Sequence, residues 1–262
     1  MSVAVRWRSL GTVVALTACL ANTWAVPAPA RVASVAPSGA VVPENLLRFS
    51  IRFDTPPQGP VLARLALTGR GDRPLPEPFL VQELWSPDGR TLTVLLHPGR
   101  VKTGLVAHEE RGAILTTGDE VRLMLDGRAI QRWSVGPRDE LGPRPAAWRL
   151  STVHAGRRET MTVRLDAAID ALDVGYLAVV DDRQRRIRGR AMLSEGETAW
   201  RFMPAEPWRA GSYRLLVRGT LEDPAGNRVS SRFETDMAAR PGVPADAEVP
   251  FVVGSGGDRG AR

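Results

Sequence analysis

Residues Leu221–Asn227 read LEDPAGN, behind the alternating run Ser212–Gly219, SYRLLVRG. The stretch has two readings. Glu222, Asp223 and Asn227 bring oxygen atoms that suit calcium, or the chain simply reverses here. A calcium loop needs acidic ligands at alternating positions, and LEDPAGN lacks that spacing. Turn chemistry accounts for every residue: Pro224 presets φ, Gly226 and Asn227 tolerate positive φ, and the Asp223 carboxylate can cap the corner. We therefore read Asp223, Gly226 and Asn227 as a structural turn. It joins the SYRLLVRG strand to a final strand over residues 228–236, RVSSRFETD.

A strand–corner–strand reading is repeated upstream. In LLRFSIRFD (residues 46–54), Leu47, Phe49, Ile51 and Phe53 share one face, the mark of a half-buried strand. TLTVLLHPG (91–99) and DEVRLMLDG (119–127) have similar content, and SPDGR (86–90) is a turn signal between runs. The second half follows the same plan. ETMTVRLD (159–166) matches LLRFSIRFD, and YLAVVDD (176–182) matches RLALTGRGD (64–72). His97-Pro98 with Gly118 corresponds to Met203-Pro204 with Gly211. The period is about 110 residues, and the short strands recur every 8 to 12 residues or so, which predicts two β-sandwiches. Only DAAIDALDVGY (166–176) suggests a helical turn, at a crossing between strands.

The expected fold class is therefore all-β, two tandem sandwiches. The boundaries follow from composition: a signal peptide over 1–18, an Ala/Pro tether over 19–44, a first domain over 45–137, a linker over 138–147, a second domain over 148–237, and a disordered tail over 238–262.

The second copy resembles the bacterial Ig-like domain of the S-layer-protein (SbsA Ig-like) type. MTVRLDAAID (161–170), WRFMPAEPWRAGSYRLLVRG (200–219) and above all the D-x-A-G-N of LEDPAGN carry the likeness. The first copy departs from it: a tight Asp126-Gly127 turn replaces the long corner, and residues 100–119 form an insertion. The resemblance spans roughly residues 45–236 and implies Ig-like domains in an envelope-associated spacer, adhesive or interaction role, without catalysis.

The N-terminus points to export. Arg6 and Arg8 precede the apolar stretch LGTVVALTACLA (10–21), whose length suits a signal-peptide core and is too short to span a bilayer. Leu16-Thr17-Ala18-Cys19 resembles a lipobox, and Cys19 is the only cysteine. Lipidation of Cys19 would anchor the protein to a membrane, facing the periplasm or the cell surface. Ordinary cleavage further on would leave a soluble periplasmic or secreted protein. The formal charge is +6, and every basic residue except Lys102 is Arg. Arg, Ala, Gly and Pro are all abundant, as a GC-rich genome would give, so the charge does not signal nucleic-acid binding.

Candidate chemistry is sparse. The three His (His97, His108, His154) have no metal-site spacing, and no hydrolase or phosphate-loop motif occurs. No catalytic residue, metal or cofactor is expected. RQRRIRGR (183–190), taken as a strand, puts Ile187, Gly189 and Ala191 inward and Arg186, Arg188 and Arg190 outward, about 6.7 Å apart. That ladder is either a solvated strand face or guarded sheet edge, or a surface that docks on an anionic envelope polymer, lipid head groups or an acidic envelope protein. GRGDRP (69–74) is a hairpin tip that happens to contain Arg-Gly-Asp. The Trp residues 85, 133, 148, 200 and 208 fit sandwich cores better than a sugar platform. The favoured function is a lipid-anchored, non-catalytic interaction or spacer module. The alternative is an exported ligand-binding protein for a glycan or a metal.

Overall fold

A computed structural model describes residues 30–229 and 245–254. The first sandwich is built from β1 (Val32–Ala36), β2 (Val41–Pro43), β3 (Arg48–Phe53), β4 (Leu65–Thr68), β5 (Leu84–Trp85), β6 (Thr91–Leu95), β7 (Glu120–Leu125) and β8 (Arg128–Gly136). Two short helices, α1 (Pro98–Val101) and α2 (Val106–Arg111), lie between β6 and β7. The second sandwich has β9 (Arg149–Leu150), β10 (Met161–Arg164), β11 (Leu177–Asp181), β12 (Gly189–Ser194), β13 (Ala199–Pro204), β14 (Gly211–Val217) and β15 (Ala247–Val253).

Strand order identifies the architecture. In the first sandwich one sheet runs β1-β3-β6-β5 and the other β2-β8-β7-β4. In chain order that is A-B-E-D facing A′-G-F-C, with β2 parallel to β8. The second sandwich runs β12-β13-β10-β9 and β11-β14-β15, which is D-E-B-A facing C-F-G. A single parallel bridge, His154 to Gly254, stands where the A′–G pairing would be. Both are the immunoglobulin arrangement. The second copy also carries a tyrosine corner: Tyr213, early in β14, donates its hydroxyl to the Arg209 carbonyl at 3.0 Å.

The cores follow from the alternation. Phe49, Ile51 and Phe53 of β3 and Leu92 and Val94 of β6 face Leu67, Val121, Leu123 and Trp133 of the other sheet. In the second copy Trp200 stacks on Phe202, ring centroids 5.5 Å apart, and Trp208 meets Tyr213 edge-on. Trp133, Trp148, Trp200 and Trp208 are buried, and Trp85 is half-buried. The indole N–H of Trp133 donates to Pro37 and that of Trp208 to Glu159, so these rings are inside with their polar atoms satisfied. Segments matched in sequence occupy equivalent places: β3 with β10, β4 with β11, β6 with β13, and β7 with β14. The two F–G connections differ. Asp126 and Gly127 both have positive φ, 50° and 73°, as a two-residue hairpin turn demands.

Four expectations need correction. Residues 32–36 and 41–43 are not tether: β1 pairs antiparallel with β3, and β2 pairs parallel with β8. The first domain therefore begins before residue 45. Residues 247–253 are not disordered tail but the last strand, paired with β14 along seven residues. Ala247, Val249, Phe251 and Val253 pack on the core while Glu248 and Val252 face out. Pro250 is tolerated because β15 is an edge strand, where a missing N–H costs little. The final strand is thus β15 and not RVSSRFETD, of which Arg228 bridges Glu222 and residues 230–236 lie outside the described residues. The basic run is also not one strand. Arg183 and Arg185 fold onto Asp181 in a turn, and β12 starts only at Gly189. The signal-peptide residues and Cys19 lie outside the described residues.

Candidate functional site: the interdomain joint and the arginine edge

The LEDPAGN corner closes on itself. The Asp223 carboxylate accepts the backbone N–H and the side-chain amide of Asn227, each at 2.9 Å, and Gly226 N–H reaches the Asp223 carbonyl at 3.0 Å. Gly226 sits at φ 85°, where a side chain would be strained. Asp223 and Asn227 are only 1% and 2% exposed. Both Asp223 carboxylate oxygens are taken up by the turn. Glu222, the remaining candidate calcium ligand, is engaged by Arg228 and Arg48. Among the described residues no group of three His, Cys, Asp or Glu is placed to hold a metal.

The corner also does something that the sequence did not suggest. It docks the second sandwich onto the first. The Pro224 carbonyl accepts the N–H of Leu47 at 2.9 Å. Arg48, at the start of β3, inserts its guanidinium between Asp170 and Glu222 of the other sandwich, with Nη1 2.6 Å from Glu222 Oε2. Asp170 in turn caps the 3-10 turn at 171–176 by accepting Leu172 N–H. Asp173 on that turn accepts Glu222 N–H at 2.8 Å. Asn45 and Asn227, one from each sandwich, both donate to the Asp139 carbonyl. Ser38 gives its N–H and its hydroxyl to the two oxygens of Glu197, both at 2.7 Å. The stretch read as a linker is therefore a packed part of the joint. Arg144 and the Trp148 indole both bind Asp166, which fixes its far end.

Burial shapes the electrostatics. It works against the charge on Arg48, but Asp170 and Glu222 more than offset it and hold the guanidinium above its ordinary range. Burial pushes the Asp223 carboxyl up to about 7, against the Asn227 bonds. It pushes Asp173 up to about 6 and raises Asp139 as well. A groove of about 500 Å³, lined by Val41, Pro43, Arg138 and Gly196 among others, runs along one side of the joint.

The arginine run sits elsewhere, at the free edge of the β12-β13-β10-β9 sheet. Ile187 N–H bonds to Val179 of the facing sheet, and Gly189 then pairs with Pro204 on β13, so the chain crosses between sheets here. Ile187 and Ala191 lie against the core. A Cβ on Gly189 would stand 2.5 Å from the Phe202 ring and from the Met203 carbonyl. Gly189, itself exposed, thus has no room for a side chain, and Arg186, Arg188 and Arg190 are exposed. The His residues are spread out: His108 Nδ1 lies 2.7 Å from the Arg100 carbonyl, and His154 Nδ1 is 3.0 Å from Glu159. In the insertion, buried Arg100 donates to the carbonyls of Pro76, Gly112 and Ala113 and staples the loops around α1 and α2. Asp72 of the Arg-Gly-Asp tripeptide pairs with Arg122.

Fold and joint together define a tandem of two immunoglobulin-like sandwiches joined by hydrogen bonds and ion pairs. No protein-family model matches the chain, and no curated protein matches it. Among solved structures, domains 5-6 of the S-layer protein SbsC are similar at a TM-score of 0.25 and 10% identity, covering 87% of this chain and 99% of that one. The I-band fragment I67-I69 from titin gives 0.25 and 9%, with 79% of this chain matched to 58% of the titin fragment. At these values the assignment rests on the strand order and the tyrosine corner of the chain itself.

Proposed function

We propose that the protein is a non-catalytic, exported envelope protein: a two-domain spacer that presents an interaction surface, anchored to a membrane through lipidated Cys19. The observation that carries the spacer reading is the joint. Arg48, Asn45 and Ser38 of the first sandwich each bond to the second sandwich or to the stretch joining them. A spacer needs that fixed orientation, and two independent binding domains do not. The resemblance to the SbsA Ig-like domain and the lipobox-like Leu16–Cys19 support the envelope setting. Because β1 begins at Val32, the stretch from Cys19 reaches at most about 45 Å when extended. The anchor would thus hold the first sandwich close to the bilayer and the second away from it.

Cell fractionation tests this. Wild type is expected in the membrane fraction, and Cys19→Ser in the soluble exported fraction. Equal membrane retention of Cys19→Ser overturns the anchor. Cross-linking capture from intact cells tests the interaction role.

A further inference from the structure

We propose that the free edge at β12 is a docking site for a linear polyanion whose repeat unit carries phosphate groups. This deepens the interaction-module reading and rests on it, but not on the lipid anchor. A Cβ on Gly189 would point at the Phe202 ring, and the flanking Arg188 and Arg190 are exposed on the opposite side. Arg186, which bridges Val180 of the facing sheet, precedes them at the same two-residue spacing, so three exposed guanidiniums are grouped where the chain crosses from one sheet to the other. None of the three has an ion pair with a described residue, whereas Arg164 and Arg201 on the same sheet both pair with Glu195. A charge placed only to guard an edge could be of either sign and could be paired. An unpaired row of one sign is complementary to a row of anions.

The neighbours add apolar contact. Met203 stands directly across from Arg190, and Met192 follows two residues on; they are 46% and 55% exposed. A guanidinium row flanked by thioethers offers phosphates and the backbone between them separate places to bind. The group sits at a sheet edge and the crossing that leads into it, not on a broad sheet face, which favours a single strand of polymer over a bilayer.

The test uses the purified full-length protein and long-chain polyphosphate, read by fluorescence anisotropy. The variant is Arg186→Gln, Arg188→Gln and Arg190→Gln together, which leaves Gly189 and the core untouched. Binding by wild type should weaken as salt rises and should fall about tenfold or more in the variant, with unchanged thermal unfolding. Equal binding by both proteins overturns the proposal. So does binding to vesicles containing phosphatidylglycerol without binding to polyphosphate, which would mark a membrane contact. Should the variant unfold earlier, each single Arg→Gln change is measured instead, and no loss in any of them overturns the proposal. An envelope partner captured equally by wild type and variant leaves the interaction module standing while removing the arginine edge.

Discussion

Arg48 Nη1 lies 2.6 Å from Glu222 Oε2, and the two residues belong to different sandwiches. The same guanidinium also pairs with Asp170. The side chains are mostly buried, so neither carboxylate can simply exchange its partner for water. Replacing Arg48 with Ala should cost about 3 kcal/mol or more, because two acids are left uncompensated. Each sandwich keeps its own core, so the loss should appear as uncoupled unfolding of the two domains in calorimetry. A single cooperative transition of unchanged midpoint would contradict this.

The joint should tighten on acidification. Asp223 has a folded pKa raised to about 7 from the ordinary 3.8, so the native state holds a proton that the unfolded chain has already released. Stability from this group is fully present below about pH 4 and is lost as pH rises toward 7. Asp173, raised to about 6, acts in the same direction. Arg48, Asp170, Glu222, Arg228 and Asp139 surround the pair; of these Asp139 is also raised, adding to the trend. Urea unfolding should therefore give higher stability at pH 5 than at pH 8. Asp223→Asn should reduce that difference, and an unaltered pH slope in this variant would count against the assignment.

Gly189→Ala should destabilise the second sandwich by about 1–3 kcal/mol, since the new methyl would overlap a ring and a carbonyl oxygen. Chemical denaturation followed by Trp fluorescence reads this through Trp200 and Trp208. Gly175→Ala is the control: a Cβ there meets nothing within 4 Å.

Ending the chain at residue 237 should unfold the second sandwich while leaving the first intact. The truncation removes β15, which carries the buried Val253 and covers the outer side of β14. Proteolysis should then leave a resistant core ending near residue 144. Wild-type resistance in the truncated chain would contradict the seventh strand.

The sequence was informative where patterns are local. The alternation at 47–53 and 120–125, the Pro–Gly spacing between E and F strands, and the turn chemistry of LEDPAGN were all legible. Val32–Ala36 and Val41–Pro43 were not, because short Val/Ala strands among Pro residues lack a polar face to mark the alternation. β15 was hidden for a similar reason, behind a Pro- and Gly-rich stretch and with Pro250 inside it. The joint was illegible on other grounds. Arg48 and Asp170 are 122 residues apart, and nothing in either neighbourhood marks the partner. The corner that looked like turn chemistry is turn chemistry, but its carbonyl and its acid also serve the other domain.

The central claim is that the two sandwiches form one rigid body through this joint. Paired spin labels at Gln58→Cys and Glu206→Cys, in a Cys19→Ser background, read it directly by pulsed dipolar spectroscopy. Both positions are exposed loop sites, one in each sandwich. A single narrow distance distribution is predicted, broadening when Arg48→Ala is added. A broad distribution in the protein with Arg48 intact would contradict the account.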